Sequence, residues 1–443
     1  ASDVYKRQRV LGALGLFGGT QAMGIVCSVV RMKLVALWIG AAGVGLFGLF
    51  NTTIELISTL SRLGVRESAV RDIASRHNHD SRSAVIAVVR RWTSFLGLAG
   101  AFLTLTMAPL LSRITFGDSD HTWSYMWLSV VVFVNSLTGG ELAVMQGCGQ
   151  LRKLARASLW GAIGGLALSV PMFYWLGIDS VVPSICVYSA CTLIAAFYFR
   201  DRPVKVKMPV REVVSGGAGF VRLGAWMTVS AFVTLLSQYI FLTWLNMKWG
   251  TEDVGAYQAG FTLVDRYVGV VLTAVVMEYY PRLSSGIHSR LITATYVNHE
   301  VSLIVRILLP CMVVFILVKE IVIRMLFTDE FLVIGPYVSW AVSAMPLKCA
   351  SWCLAFVLVA RGDGKTYVMC EAASAVLFLL TGVTMFSGYG LTGLGYAYLL
   401  WYAAYFTIVS IAVYNRSKVT LKRPVLALVI LSSCLSAAIA YLQ

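Results

Sequence analysis

Four basic residues lie deep inside stretches of the chain that are otherwise apolar. They are Arg31, Lys33, Arg266 and Lys348. A charge at the centre of a membrane helix costs about 3 kcal/mol or more, so such residues usually face a bundle interior or a wet cavity. Guanidinium and ammonium groups bind phosphate oxygens well. We therefore predict a cavity with positive walls, suited to phosphate or pyrophosphate. Lys33 points away from the Arg31 face, and the alternative for this residue is that its side chain extends outward to the membrane surface.

Three acidic residues accompany these bases within apolar segments. They are Glu55, Asp265 and Glu141. A carboxylate inside a membrane can take up and release a proton, which predicts coupling to a proton or sodium gradient. The alternative is that these acids pair with the bases and hold the helices together. The sequence leaves both roles open, and it predicts no cofactor beyond the coupling ion.

Other chemistries are disfavoured by the residues present. The five histidines are scattered, and no nucleophile elbow, phosphate-binding loop or nucleotide fingerprint occurs, so we expect a protein that is not an enzyme. Cys349 and Cys353 share a helix face without further ligands nearby, so no metal site is predicted. The net charge of +15 does not predict a nucleic-acid partner, because the basic residues segregate to one side of the predicted membrane.

The elements that position these residues are membrane helices. Hydrophobic residues make up 58% of the chain and charged residues 13%, which is too few charges for a soluble protein of 443 residues. Apolar runs of about 20 residues recur, which predicts an all-α polytopic membrane protein. We count twelve such helices and a thirteenth over 424–442. With the N-terminus in the cytoplasm, most of the 36 Lys and Arg residues lie on the inner side.

The chain is predicted to contain an internal repeat. Gly40 and Glu55 correspond to Gly250 and Asp265, 210 positions later, and RITFGD at 113–118 corresponds to RMLFTD at 324–329. The repeat predicts two parallel six-helix lobes around a central cavity. The predicted divisions are an artificial leader or assembly leftover at 1–8, an N-terminal lobe at 9–200, a cytoplasmic linker at 201–222, a C-terminal lobe at 223–416 and an additional helix within 417–443.

The first helical hairpin has two distinctive connections. The stretch 40–45 is rich in glycine and uncharged, which predicts the reversal between the first helix and a second helix over 45–64. Segment 65–91 alternates arginines with apolar residues, which predicts an amphipathic helix lying on the inner membrane surface.

This hairpin carries a resemblance to a known family. The stretch VVRMKLVALWIGAAGVGLFGLFNTTIELISTLSRLGVRESAVRDIA at 29–74, with FGD at 116–118 and GCGQLRKLARAS at 147–158, resembles the Wzx-type O-antigen flippases. These belong to the multidrug/oligosaccharidyl-lipid/polysaccharide (MOP) exporter superfamily. The resemblance implies a MOP-type fold in the bacterial inner membrane and transfer of an undecaprenyl-pyrophosphate-linked oligosaccharide between leaflets. It also implies that Arg31 lines the cavity, as a matching arginine does in the related lipid II flippases.

Several alternatives accompany this resemblance. A cation-coupled multidrug exporter of the same superfamily is the second hypothesis. A membrane glycosyltransferase is disfavoured because every predicted outer loop is short. Membrane lipids are expected partners, and polysaccharide polymerase machinery is a candidate partner. The thirteenth helix departs from a twelve-helix pattern, so we expect either a missing fourteenth helix or a peripheral tail.

Overall fold

The structure is a computed structural model that describes residues 23–62, 64–76, 79–201, 210–266, 279–280 and 282–442. The chain divides into two compact units, 1–232 and 233–443. Every regular element in the described residues is helical, because apolar runs of this length satisfy their backbone groups internally only as helices.

The helices of the first unit follow one another through short connections. They are α1 (23–38), α2 (Gly40–Arg62), α3 (Val65–Ser75), α4 (His79–Phe116), α5 (Thr122–Gly147), α6 (Leu151–Leu176), α7 (Val181–Phe199) and α8 (Val210–Trp249), which continues into the second unit. Since α8 begins at Val210, the second half of the predicted linker 201–222 is helical. Hydropathy does not predict this extension of the helix, because the residues after Pro209 include polar ones. A proline just before a helix is nevertheless compatible with its start.

The second unit contains the remaining helices. They are α9 (Thr251–Phe261) with a π-helical segment (Thr262–Arg266), α10 (Arg290–Leu326), α11 (Gly335–Ser343), α12 (Met345–Ala360), α13 (Gly364–Ser417) and α14 (Arg423–Leu442). Among the described residues, eight helices are long and apolar enough to cross a membrane, or nine if the bent pair that α11 and α12 form is one span. The protein is thus a multi-pass membrane protein.

The first reversal is shorter than the sequence predicts. Residues 41–45 are already helical, and only Gly40 has a positive φ of 77°. The predicted reversal over 40–45 is therefore wrong, because a single glycine in the left-handed region turns the chain and the following small residues continue as helix. Their close packing is visible in Gly43 and Val44, both of which are buried.

Glycines with a positive φ form turns at corresponding positions of the two halves. Gly40 and Gly250 have φ of 77° and 94°; Gly40 is the first residue of α2, and Gly250 directly precedes α9. Gly177 and Gly390 have φ of 55° and 60° with ψ of −129° and −143°, and each interrupts a long helical run. A positive φ carries little cost for glycine, so these residues fix the turns in both halves.

A third matched turn ends α5 and α12. The amide of Gln150 donates to the carbonyl of Met145 at 2.9 Å, and the amide of Asp363 donates to the carbonyl of Leu358 at 3.0 Å. Gly149 and Gly362 provide the positive φ in these two turns. The glycines that correspond are thus 149 and 362, which are 213 positions apart.

Helix α3 packs against its own unit. Its apolar residues Val65, Ala69 and Ile73 are buried against a cluster that includes Val89 and Val144. The expectation of an amphipathic helix over 65–91 is therefore wrong in its length, because the helix ends at Ser75. Its apolar face packs against α4 and α5.

The thirteenth predicted helix, α14, belongs to the second unit. The Asn298 side chain of α10 donates to the carbonyl of Thr420 at 3.1 Å and accepts from the amide of Lys422 at 2.6 Å. Arg290 donates to the carbonyl of Lys418 at 2.8 Å. These bonds fix the chain that enters α14 onto α10.

Candidate functional site

The exposed stripe of α2 is polar. Most of this helix is buried, and five residues that keep exposure recur every three or four positions: Gly48, Asn51, Glu55, Thr59 and Arg62. Leu60, beside them, is also exposed. Lipid would select apolar residues on such a stripe, so this face is suited to contact with water. Glu55, at the middle of the stripe, is exposed and makes no hydrogen bond or ion pair with any residue that the structure describes.

Arg31 lies between two aromatic rings. Its guanidinium carbon is 4.8 Å from the ring centroid of Phe47 on α2 and 4.2 Å from that of Tyr188 on α7. Cation–π contacts of this kind contribute about 0.5–2 kcal/mol, depending on desolvation. They position the guanidinium beside α2 and α7, and a planar guanidinium is a group suited to bidentate contact with an anion.

Lys33 is not placed with Arg31. Two residues along a helix correspond to about 200° of rotation, so the side chains leave α1 on different faces. Lys33 is half-buried. The predicted basic residues thus do not form one cluster within the first unit.

In the second unit the structure brings Asp265 and Lys348 together. Their side chains form an ion pair and are only 14% and 16% exposed, respectively. The hydroxyl of Tyr398 donates to the other carboxylate oxygen of Asp265, and the Lys348 ammonium lies 5.5 Å from the Tyr402 ring centroid. This arrangement corresponds to the structural ion pair that the sequence left open, and it neutralises Lys348 in this conformation. The side chain of Arg266 lies outside the described part of the structure.

A row of tyrosines on α13 was missed by sequence reasoning. Tyr398, Tyr402 and Tyr405 recur at four and three positions, which places them on one helix face. Tyr398 contacts Asp265, and the hydroxyl of Tyr405 donates to Glu371. The spacing in GLGYAYLLWYAAY carried the signal. These phenols line the side of α13 that lies between two buried carboxylates.

Glu141 is surrounded by two arginines of its own unit. Arg90 binds it through two bonds of 2.9 and 2.8 Å, and Arg200 donates to it at 3.0 Å. Glu141 is 4% exposed. Charge-assisted bonds of this kind tie α4 and α7 to α5, which favours the ion-pair role over ion coupling for this residue.

The comparison with known proteins identifies a family. A family described as polysaccharide biosynthesis protein matches residues 35–336, which is more than half of the chain. The chain belongs to the polysaccharide biosynthesis protein family. The match contains α2 with its polar stripe, as well as Phe47, Tyr188 and Asp265.

Two curated proteins that are similar to this chain are both described as lipid III flippases. The lipid III flippase of Escherichia coli (strain K12) is 21% identical over 383 residues, which cover 85% of this chain and 91% of the relative. The lipid III flippase of Shigella flexneri matches with the same identity and coverage.

Solved structures show the fold of this family member. A multidrug resistance MATE family transporter of the MOP superfamily, in an inward-facing conformation, matches with a TM-score of 0.73 and 14% identity over 89% of this chain and 94% of that one. The lipid II flippase MurJ, in an inward closed conformation, matches with a TM-score of 0.71 and 13% identity over 96% of both chains. The predicted all-α MOP-type fold is confirmed.

Proposed function

We propose that this protein moves a lipid-linked oligosaccharide from one leaflet of a membrane to the other. The family is one of polysaccharide biosynthesis, and the curated relatives are lipid III flippases. The fold is shared with a lipid II flippase and with exporters. Such a transporter forms and breaks no covalent bond, so it needs a site for an anionic headgroup rather than catalytic groups.

The observation that carries the proposal is the position of Arg31. A basic side chain in an apolar helix is expensive to retain, and here two aromatic rings from different helices hold it. A planar guanidinium held in this way suits recognition of a phosphate or pyrophosphate. The polar stripe of α2, which begins near Phe47, supplies a wet surface for sugar hydroxyls.

The finer features of the substrate and setting follow from the resemblance of the first hairpin. We propose an undecaprenyl-pyrophosphate-linked O-antigen or similar repeat unit as the cargo. The protein would lie in the bacterial inner membrane with its N-terminus in the cytoplasm, beside polysaccharide polymerase machinery. The two lobes would expose the cargo to each side in turn.

Coupling to a proton or sodium gradient is part of the proposal. Glu55 is the strongest candidate, because it is exposed within a membrane-length helix and has no partner among the described residues. Asp265 is the second candidate, since a proton or sodium ion would compete with Lys348 for its carboxylate. Glu141 is the third and weakest, because two arginines already engage it.

A second candidate function is a cation-coupled multidrug exporter. The similarity to the MATE transporter, with its TM-score of 0.73, favours it. A cation-coupled exporter is expected to favour acids over bases in its cavity, so it would not need Arg31. The two functions therefore differ in what removal of this side chain does.

The test is complementation of a strain that lacks its own O-antigen flippase. We expect Arg31→Ala to lower surface polysaccharide by at least roughly tenfold, because loss of one charge-assisted phosphate contact costs about 1.5–3 kcal/mol. Arg31→Lys should recover part of the activity. Arg71→Ala, which removes an exposed arginine of α3, is the matched control. Full polysaccharide from Arg31→Ala at normal protein abundance would contradict the proposal, and drug export unaffected by it would support the exporter.

A further inference from the structure

The first unit contains a cavity that the Arg31 site does not use. Its volume is about 510 Å³, within the range of roughly 300–1,000 Å³ that is typical of ligand sites. The beginnings of α5 and α7, together with α2, form its walls. Leu46, Phe50 and Val181 make a buried apolar floor, and Trp123 and Trp127 form part of the rim.

The cavity opens on an apolar face of the unit. On α5 the exposed residues at helical spacing include Trp127 and Val130, which are 50% and 49% exposed. On α7 the exposed residues continue from the cavity through Ala190 and Ile194. This surface contrasts with the polar stripe of α2. Exposed apolar stripes on membrane helices face lipid, and tryptophans concentrate at the membrane interface, so the occupant enters from the bilayer.

The chemistry of the walls favours a hydrocarbon chain over a sugar. The floor offers no hydrogen-bond partner, and hydroxyl groups buried there would lose their water without compensation. Among the side chains that line the cavity, the charged or strongly polar ones are His121, Ser124 and Asp179, and the Cys186 thiol already donates to the carbonyl of Trp127. Each buried methylene group would contribute about 0.8 kcal/mol.

The cavity and Arg31 share one seam between α2 and α7. Leu46 and Val187 line the cavity, while the next residues along the chain, Phe47 and Tyr188, hold Arg31. Adjacent residues differ by about 1.5 Å in height along a helix, so the two sites lie at the same level on different sides of the seam. A lipid with its phosphate at this level would have its first chain units beside the cavity.

We infer that this cavity binds the phosphate-proximal part of a polyprenyl chain. The inference rests on the proposed function, because that function supplies a polyprenyl-linked cargo. The cavity would receive the chain as the headgroup reaches the end of the unit where α2 and α7 begin. It would thereby favour release into that leaflet over return.

The test is photo-crosslinking of the full chain in nanodiscs of phosphatidylethanolamine. The probes are a diazirine-bearing polyprenyl phosphate and a diazirine-bearing phosphatidylethanolamine, each at the same low concentration. We expect the polyprenyl probe to label peptides that contain 121–127 and 178–187 in preference to the phospholipid probe. Val182→Trp should lower this labelling roughly tenfold, because exclusion of two methylene groups is enough for that change in affinity. Val182→Phe is a milder version, should the larger ring impair folding.

Controls separate the possible occupants. Ala190→Trp places the same ring on the exposed face of α7 outside the cavity and should leave the labelling unchanged. Equal labelling by both probes, or labelling insensitive to both Val182 variants, would overturn the inference in favour of ordinary annular lipid. Protection by a soluble oligosaccharide but not by unlabelled polyprenyl phosphate would overturn it in favour of a sugar site. These results do not depend on transport, so a failure of the Arg31 complementation test stays distinguishable from a failure here.

Discussion

The three carboxylates that the sequence predicts as coupling sites differ in their partners. Glu55 is exposed on a polar stripe, Asp265 is paired with Lys348 and Tyr398, and Glu141 is held by two arginines. A buried pair is costly to form and costlier to break, since removing one partner leaves a desolvated charge. The same residue type thus serves in one place as a candidate coupling group and in another as part of the framework.

The pair of Asp265 and Lys348 gives a prediction that separates stability from transport. Lys348→Met should lower the free energy of unfolding by about 3–5 kcal/mol, because the Asp265 carboxylate stays buried without its counter-ion. Adding Asp265→Asn should restore most of that loss. Denaturant unfolding in mixed micelles measures both, and Glu55→Gln, which breaks no described pair, should leave stability unchanged. A stable double variant that also transports normally would contradict a coupling role for Asp265.

At the scale of helices, small residues set the spacing between α4 and α5. The Ser136 hydroxyl donates to the carbonyl of Thr93 at 2.8 Å, and a Cβ added to Gly140 would meet the Thr93 hydroxyl oxygen at 2.6 Å. Membrane helices rely on such close contacts, because apolar side chains gain little by leaving lipid for protein. A Cβ added to the neighbouring Gly139 would meet no heavy atom within 4 Å.

These two adjacent glycines form a matched pair for substitution. Gly140→Ala should destabilise the protein by about 1–3 kcal/mol, because Thr93 is fixed by its own bond to the carbonyl of Val89 and cannot move aside. Gly139→Ala should stabilise α5 by up to about 1 kcal/mol, because alanine has the higher helix propensity and meets open space. Thermal unfolding of the two purified variants in the same detergent compares them directly. Equal effects from both would show that α4 and α5 are not closely packed here.

At the scale of the whole chain, sequence patterns predicted more of the fold than of the site. Hydropathy predicts the membrane helices, and the 210-residue correspondence of Gly40 with Gly250 predicts the turns that the two halves share. Both glycines have a positive φ, which glycine adopts most readily. Hydropathy cannot report that Lys348 meets Asp265 or that Arg90 and Arg200 share Glu141, because those contacts depend on how distant helices pack.

Each unit also has an ionic contact near the end of a long helix. In the first unit, Lys153 and Gln150 donate to Asp201 just beyond α7. In the second, Arg416 near the end of α13 pairs with Asp363 at 3.0 Å, and Thr366 donates to the same carboxylate. The carboxylate lies at the end of the long helix in one unit and in the loop before it in the other. A similar contact therefore recurs in both units, with the acidic and basic residues exchanged between its two sides.

These contacts predict a defined dependence of stability on pH. Hydrogen bonds from Lys153 and then Gln150 lower the pKa of Asp201. Burial alone would raise the pKa of Asp363, but hydrogen bonds from Thr366 and the charge of Arg416 outweigh it and lower that pKa as well. A carboxylate whose pKa is lowered in the folded state contributes fully to stability above its unfolded pKa of about 3.9. That contribution to stability is lost as the pH falls through the pKa of the folded state. Asp201→Asn and Asp363→Asn should therefore lower the melting temperature by a constant amount between pH 6 and pH 8, and this deficit should begin to shrink as the pH falls below about 4 and vanish only below the folded pKa. Because the two contacts lie in separate units, the deficits of the two variants should add in the double variant. Asp120→Asn, at an exposed position, is the control, and a deficit that grows on acidification would show that these carboxylates are not stabilised in the folded state.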